Sequence, residues 1–143
     1  MEKQTDKDLV LEVNTRFYKA LGTRDLELME TVFVHDHRAG CMHPGWIMLK
    51  GWEAIRQSWE NVFDPQDQLE IKLHNLAVEL EGAAAWVTCI QELIYINRDP
   101  VMQNVSVSTN IFEKNGSGWK MVIHQASPLP ISAQEESEEN NLQ

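Results

Sequence analysis

His43 stands directly before Pro44-Gly45, a strong turn signal, in a stretch where helical spacing has been lost. An imidazole titrates near neutral pH, so a neutral ring nitrogen there could take a proton from carbon beside a carbonyl. Asn110 offers the complementary chemistry, because an amide N–H can donate to a developing oxyanion without titrating. Both residues also have plainer readings. His43 could line a pocket without catalysing anything, or hydrogen-bond backbone at a strand end. The polar strand face of Asn104, Ser106, Ser108 and Asn110 could be solvated or part of a dimer interface.

Other chemistries find less support. His35, Asp36, His37, Cys41 and His43 invite a metal reading, but their spacing matches no zinc signature. There is no glycine-rich phosphate loop and no G-x-S-x-G, so neither a cofactor nor a metal is expected. Cys41 and Cys89 are expected as reduced thiols. No sequence feature supplies Cys89 with a partner base, so it reads as a small hydrophobe.

Composition narrows the partners. The formal net charge of -10 and the lack of a basic cluster argue against nucleic acid and anionic membranes. No apolar run approaches the ~20 residues of a membrane span, and the polar start does not resemble a signal peptide, so a cytoplasmic protein is expected. At 143 residues with 43% hydrophobic content, the chain suits one domain, expected over residues 1–128. Residues 129–143 read as an acidic, disordered tail.

The elements that must position these groups follow from periodicity. Leu9, Val10, Val13, Phe17 and Leu21 form the stripe of a first helix starting near Thr5 or Asp6. A shorter second helix carries Leu26, Met29, Val32 and Phe33, and Gly51 opens a third with Ala54, Ile55, Ser58, Trp59 and Val62 on one face. After Pro65 the pattern turns to strands. Leu69, Ile71 and Leu73 alternate, then Leu76, Val78 and Leu80 alternate in the opposite phase, which is the mark of a β-bulge. Three further strands follow, and Asn115-Gly116-Ser117-Gly118 joins the last pair. Helices followed by an antiparallel meander make an α+β domain, with three N-terminal helices packed on a strongly bent sheet.

With the elements in that order, the chain resembles the nuclear transport factor 2-like superfamily. That cone-shaped fold is shared by ketosteroid isomerase, SnoaL-type polyketide cyclases and kinase association domains. The resemblance rests on Leu21-Gly22-Thr23-Arg24-Asp25-Leu26, residues 33–44, Gly51-Trp52-Glu53-Ala54-Ile55-Arg56 and Trp119-Lys120-Met121-Val122. The SnoaL-like group is the nearest in appearance. It implies a homodimer through the convex sheet face, with a pocket between the concave face and the helices.

Compared with ketosteroid isomerase, the general-base aspartate before a proline corresponds to His43. The protonated aspartate of its oxyanion hole corresponds to Asn110. The tyrosine of the first helix corresponds to Phe17, with Tyr18 adjacent, and a second tyrosine falls near Trp59. The W-x-x-V-H-x-H-x-S ending of association domains and many SnoaL-like proteins corresponds here to Trp119, Val122, Ile123, Gln125 and Ser127, with His124 between the replaced histidines.

Strand alternation gives shared faces, some of which the resemblance turns towards the pocket. Val87, Cys89, Gln91, Leu93 and Tyr95 share one face, and Trp119, Met121, Ile123, Gln125 and Ser127 another, leaving His124 outward. The expected pocket is lined by Phe17, Tyr18, Trp59, Val62, Val87, Cys89, Tyr95, Phe112, Ile123, Gln125 and Ser127, with His43 and Asn110 as base and oxyanion donor. Its ligand is expected to be a small apolar or carbonyl-containing molecule. The alternative is a non-catalytic association module built on the same fold.

Overall fold

The computed structural model describes residues 3–116 and 118–130. Thr5 caps α1 (Asp6–Thr23): its hydroxyl accepts from the Asp8 N–H at 3.1 Å, and the Asp8 carboxylate accepts from the Thr5 N–H at 3.2 Å. This reciprocal box satisfies two donors that the helix itself leaves unpaired. Val10, Val13, Phe17 and Leu21 are buried as their spacing predicts, but Asn14 and Tyr18 are buried beside them. The helix therefore carries polar groups into the interior.

Asp25 caps α2 (Leu26–Glu30) through the Leu28 N–H. The helix ends before Val32 and Phe33, which were expected on it. Both are buried, Val32 in the turn that follows the helix and Phe33 in a bridge to Met121. Two short strands follow, β1 (Gly40–Met42) and β2 (Leu49–Lys50), on either side of the turn at Pro44-Gly45. Gly51, at φ 88°, leads into α3 (Trp52–Val62). The meander consists of β3 (Leu69–Glu81), β4 (Ala84–Tyr95), β5 (Met102–Asn115) and β6 (Gly118–Pro128).

All six strands form one sheet in the order β2-β1-β6-β5-β4-β3. Only β1 and β6 pair in parallel. The helices pack on the inner side of this curled sheet, giving an α+β cone. Phe17 sits at the centre of the core, with its ring edge-on to Tyr18, Phe33 and Trp59.

Two irregularities bend the sheet. The register of β3 slips between His74 and Ala77, where Asn75 adopts φ 56°, at the phase flip expected from the sequence. The second was not expected. Ile111 pairs with Ile123 but Phe112 pairs with Met121, so β6 carries one extra residue at Val122. Trp119 and Met121 face the core before this bulge, and His124 and Ala126 face it afterwards. The expected alternation of β6 is therefore reversed beyond Val122. His124 points inward at 1% exposure, whereas Gln125 is exposed and Ile123 and Ser127 lie with it on the outer side.

The ordered chain also continues past residue 128, since the Leu129 N–H donates to the Val105 carbonyl at 2.9 Å. From residue 131 on, the expected acidic tail lies outside the described residues. Among the described residues, no helix is long and apolar enough to cross a membrane.

Candidate functional site in the cone

β1 delivers His43 to the interior. Its carbonyl accepts from the Trp46 N–H at 2.9 Å, closing the turn through Gly45 (φ 83°). The ring stands edge-on to Trp59 and Trp46, with centroids 4.5 and 4.7 Å away. Its Nε2 lies 2.9 Å from the Ser58 hydroxyl, which itself donates to the Ile55 carbonyl at 2.6 Å. Because that hydroxyl proton is already used, Nε2–H is the donor to Ser58. Nδ1 keeps its lone pair, with no partner among the described residues. Burial pushes the pKa of His43 down to about 4, so the ring is neutral near pH 7.

His124 is held in a second arrangement of the same kind. Asn110 donates from Nδ2 to the Asn14 Oδ1 at 2.8 Å, and its Oδ1 lies 2.6 Å from His124 Nδ1. An amide with that orientation offers His124 an acceptor, so Nδ1–H is the donor and Nε2 carries the lone pair. Burial, followed by the neighbouring charge of His43, pushes the pKa of His124 down to about 3.

A third polar chain crosses from helix to sheet. Tyr18 donates to Gln91 Oε1 at 2.9 Å and shares a 2.9 Å hydrogen bond with the Ser108 hydroxyl, which lies 3.1 Å from Cys89 Sγ. These contacts orient the Gln91 amide and leave its Nε2–H without a partner among the described residues. The indole N–H of Trp59 is also buried and unpartnered.

These groups meet at a cavity of about 160 Å³. Its apolar wall is Leu21, Pro44, Val62 and Leu93, and its aromatic wall is Trp46, Trp59 and Tyr95. His43, Gln91, Asn104 and His124 supply the polar groups. Trp46 and Val62, 46% and 39% exposed, place its rim at the solvent side.

The expected site residues divide into five groups. His43, Trp59, Val62 and Tyr95 line the cavity. Phe17, Val87 and Phe112 are fully buried core residues outside its lining, and Tyr18 and Cys89 belong to the polar chain behind it. Asn110 is not placed to meet a ligand, because its N–H is given to Asn14 and its oxygen to His124, 0% of the residue being exposed. It positions His124 instead. Ile123, Gln125 and Ser127 are outside the cone because of the bulge at Val122.

Sequence reasoning missed His124 and left Gln91 out of the site. The run Met121-Val122-Ile123, three apolar residues where strict alternation must break, is the signal that could have placed His124. The His-Asp-His run has local partners. His35 stacks on Trp52 at 4.5 Å and bonds the Glu30 carbonyl, and Asp36 pairs with Arg38.

A curled sheet closed by helices around such a cavity can be compared with known proteins. Residues 10–132 match the model of the SnoaL-like domain. The chain belongs to that family. Among solved structures, this SnoaL-like chain is similar to a candidate dehydratase of the NTF2-like family from Streptomyces avermitilis. The two share 26% identity at a TM-score of 0.79, over 87% of this chain and 96% of that one. It is also similar to a candidate calcium/calmodulin-dependent protein kinase type II association domain from Thiobacillus denitrificans. There the identity is 26% and the TM-score 0.70, over 82% of this chain and 93% of that one. A curated relative, the F-box protein SKIP8 of Arabidopsis thaliana, is 25% identical over 126 residues, which is 88% of this chain and 52% of the relative. The chain thus spans about half the length of that curated relative.

Proposed function

We propose that this SnoaL-like chain binds a small carbonyl compound in the cone and transfers a proton next to the carbonyl, as isomerases, cyclases and dehydratases do. The observation that carries this reading is that the cavity lining holds both an imidazole with an uncommitted lone pair, His43, and an amide with an unpartnered N–H, Gln91. His43 Nδ1 takes the proton from the carbon. Negative charge then develops on the carbonyl oxygen, where the Gln91 N–H donates. Gln91 thus takes the part that the sequence assigned to Asn110. The low pKa of His43 makes it a weak base in the empty cavity, but an enolate beside the ring offsets the desolvation that lowers it. The likeness to a candidate dehydratase is in keeping with this class of reaction.

The test is hydrogen–deuterium exchange at the α-carbon of small ketones, followed by NMR. Exchange should be accelerated by the protein and fall by about 10²-fold or more in His43→Ala. An undiminished rate in that variant would remove His43 from the chemistry. A protein that binds ketones without exchanging them would be a binder only.

A specific feature favours a second property, self-association. Trp86, Ile111 and Ile123 form one row across the outer sheet face, and Ile90 and Val107 lie in another. Trp86 and Val107 are 39% and 43% exposed. A partly apolar outer face of this kind suits a second copy of the chain, and one of the similar structures is described as an association domain. Sedimentation should find a homodimer in the wild type and a monomer in Val107→Glu. A monomeric wild type at micromolar concentration would discard this assembly.

A further inference from the structure

Resting on the reading above, we infer that the natural occupant of the cone is an uncharged molecule about the size of one six-membered ring, carrying a carbonyl oxygen and an adjacent hydrogen-bond donor, as in a cyclic amide or its enol. Size is the first argument. The cavity measures about 160 Å³, close to the ~150 Å³ of an apolar protein cavity that accepts benzene. Fused ring systems exceed it.

Charge is the second argument. Among the described residues, no Lys, Arg, Asp or Glu lines the cavity. Arg98, whose guanidinium lies over the ring of the lining residue Tyr95, is already paired with Asp67. A carboxylate or ammonium entering the cone would lose its water without gaining a counter-ion.

The third argument is the pattern of unused hydrogen-bonding groups. His43 Nδ1 and His124 Nε2 are acceptors, each fixed in its tautomer by a partner on the other nitrogen. The Gln91 Nε2–H is a donor, fixed by Tyr18 on the amide oxygen. These residues are 5%, 1% and 2% exposed. A ligand that only accepts would satisfy Gln91 and leave the imidazoles unpaired, and a ligand that only donates would do the reverse. A ring with N–H beside C=O answers the Gln91 N–H and one of the two imidazoles at once, and Leu93 and Trp59 supply apolar wall for its faces.

The experiment titrates the full chain by NMR and calorimetry with four probes: 2-pyridone, N-methyl-2-pyridone, benzoate and 2-quinolone. A Val62→Trp variant, which narrows the rim from the exposed end of α3, serves as the control for location. Binding of 2-pyridone is expected, with shifts at His43, Gln91 and Trp59, and with loss of at least tenfold in affinity in the variant. N-Methylation, which removes the donor, should weaken binding at least tenfold, as should the second ring of 2-quinolone, and benzoate should not bind. Equal affinity for the N-methyl compound, or tighter binding of benzoate or 2-quinolone, would overturn this inference and leave a carbonyl-binding cone in place. Failure of all four probes to bind would overturn both readings.

Discussion

Asn110→Leu is expected to lower the stability of the fold by about 2–5 kcal/mol, because it strands two buried polar groups. Leucine is branched like asparagine and has as many side-chain heavy atoms, so the two differ in polarity and in the extra bulk of the methyl groups. Asn110 is fully buried, and its amide is the link between α1 and β6. Without it, Asn14 Oδ1 and the His124 Nδ1–H both lose their partner, each at a cost of about 1–3 kcal/mol. A domain of this size has a total stability of only about 5–15 kcal/mol. Urea denaturation would measure the loss, and a change below about 1 kcal/mol would mean that the Asn14–Asn110–His124 chain contributes little. Asn14→Leu combined with Asn110→Leu should cost less than the two single changes added together, since the second removes a group that the first had already left unpaired. The same substitution frees the ring of His124, so its lone pair no longer has a set direction in the cavity.

Stability is also expected to fall steeply between about pH 6.5 and pH 4, before most carboxylates begin to titrate. Burial holds both imidazoles neutral in the fold, His43 down to about pH 4 and His124 down to about pH 3. In the unfolded chain each has an ordinary pKa near 6.5. Between these limits the unfolded state binds protons that the native state does not, so ΔG of unfolding decreases as pH falls. Their contribution is fully present above about pH 6.5, and its loss levels off once pH passes the folded values. Each group accounts for up to about 1.4 kcal/mol per pH unit, so two titrating together give a slope near 2.7 at most. Urea midpoints measured from pH 7.5 to pH 4.5 would record this slope, and His43→Asn should remove about half of it. A midpoint that stays level between pH 7 and pH 5 would show that neither ring is kept neutral by burial.

These two effects share one physical origin. The interior of the cone is not simply apolar, since Asn14, Tyr18, Gln91, Ser108, Asn110 and His124 are all buried there. Asn14 and Tyr18 arrive on α1 among hydrophobic residues, Ser108 and Asn110 on the largely polar inner face of β5, and these groups are held by neighbours from different elements. Such networks stabilise only while every member has a partner. That explains why a change at the centre of the chain, or a proton added to its end, is expected to cost far more than a surface substitution.

The sequence by itself determined what depends on local spacing. The start of α1 at Thr5 or Asp6, its buried stripe, the turn at Pro44-Gly45 and the phase flip in β3 could all be read from neighbours along the chain. Strict alternation separated the two faces of β4 and β5, and the order of elements gave helices on a bent sheet, while the cone and its pocket side came from the family resemblance. The tertiary structure decided everything that hangs on pairing between distant segments. Val122 is surplus only because Ile111 and Phe112 on β5 pair with Ile123 and Met121, and that one-residue offset turns His124 into the cone and Gln125 out of it. Asn110 reads as an oxyanion donor until Asn14, ninety-six residues earlier, takes its N–H. Gln91 gains a free donor only because Tyr18, across the interior on α1, takes its oxygen. A side-chain type states which hydrogen bonds are available, but only the folded arrangement of distant elements determines which are already made and which remain for a ligand.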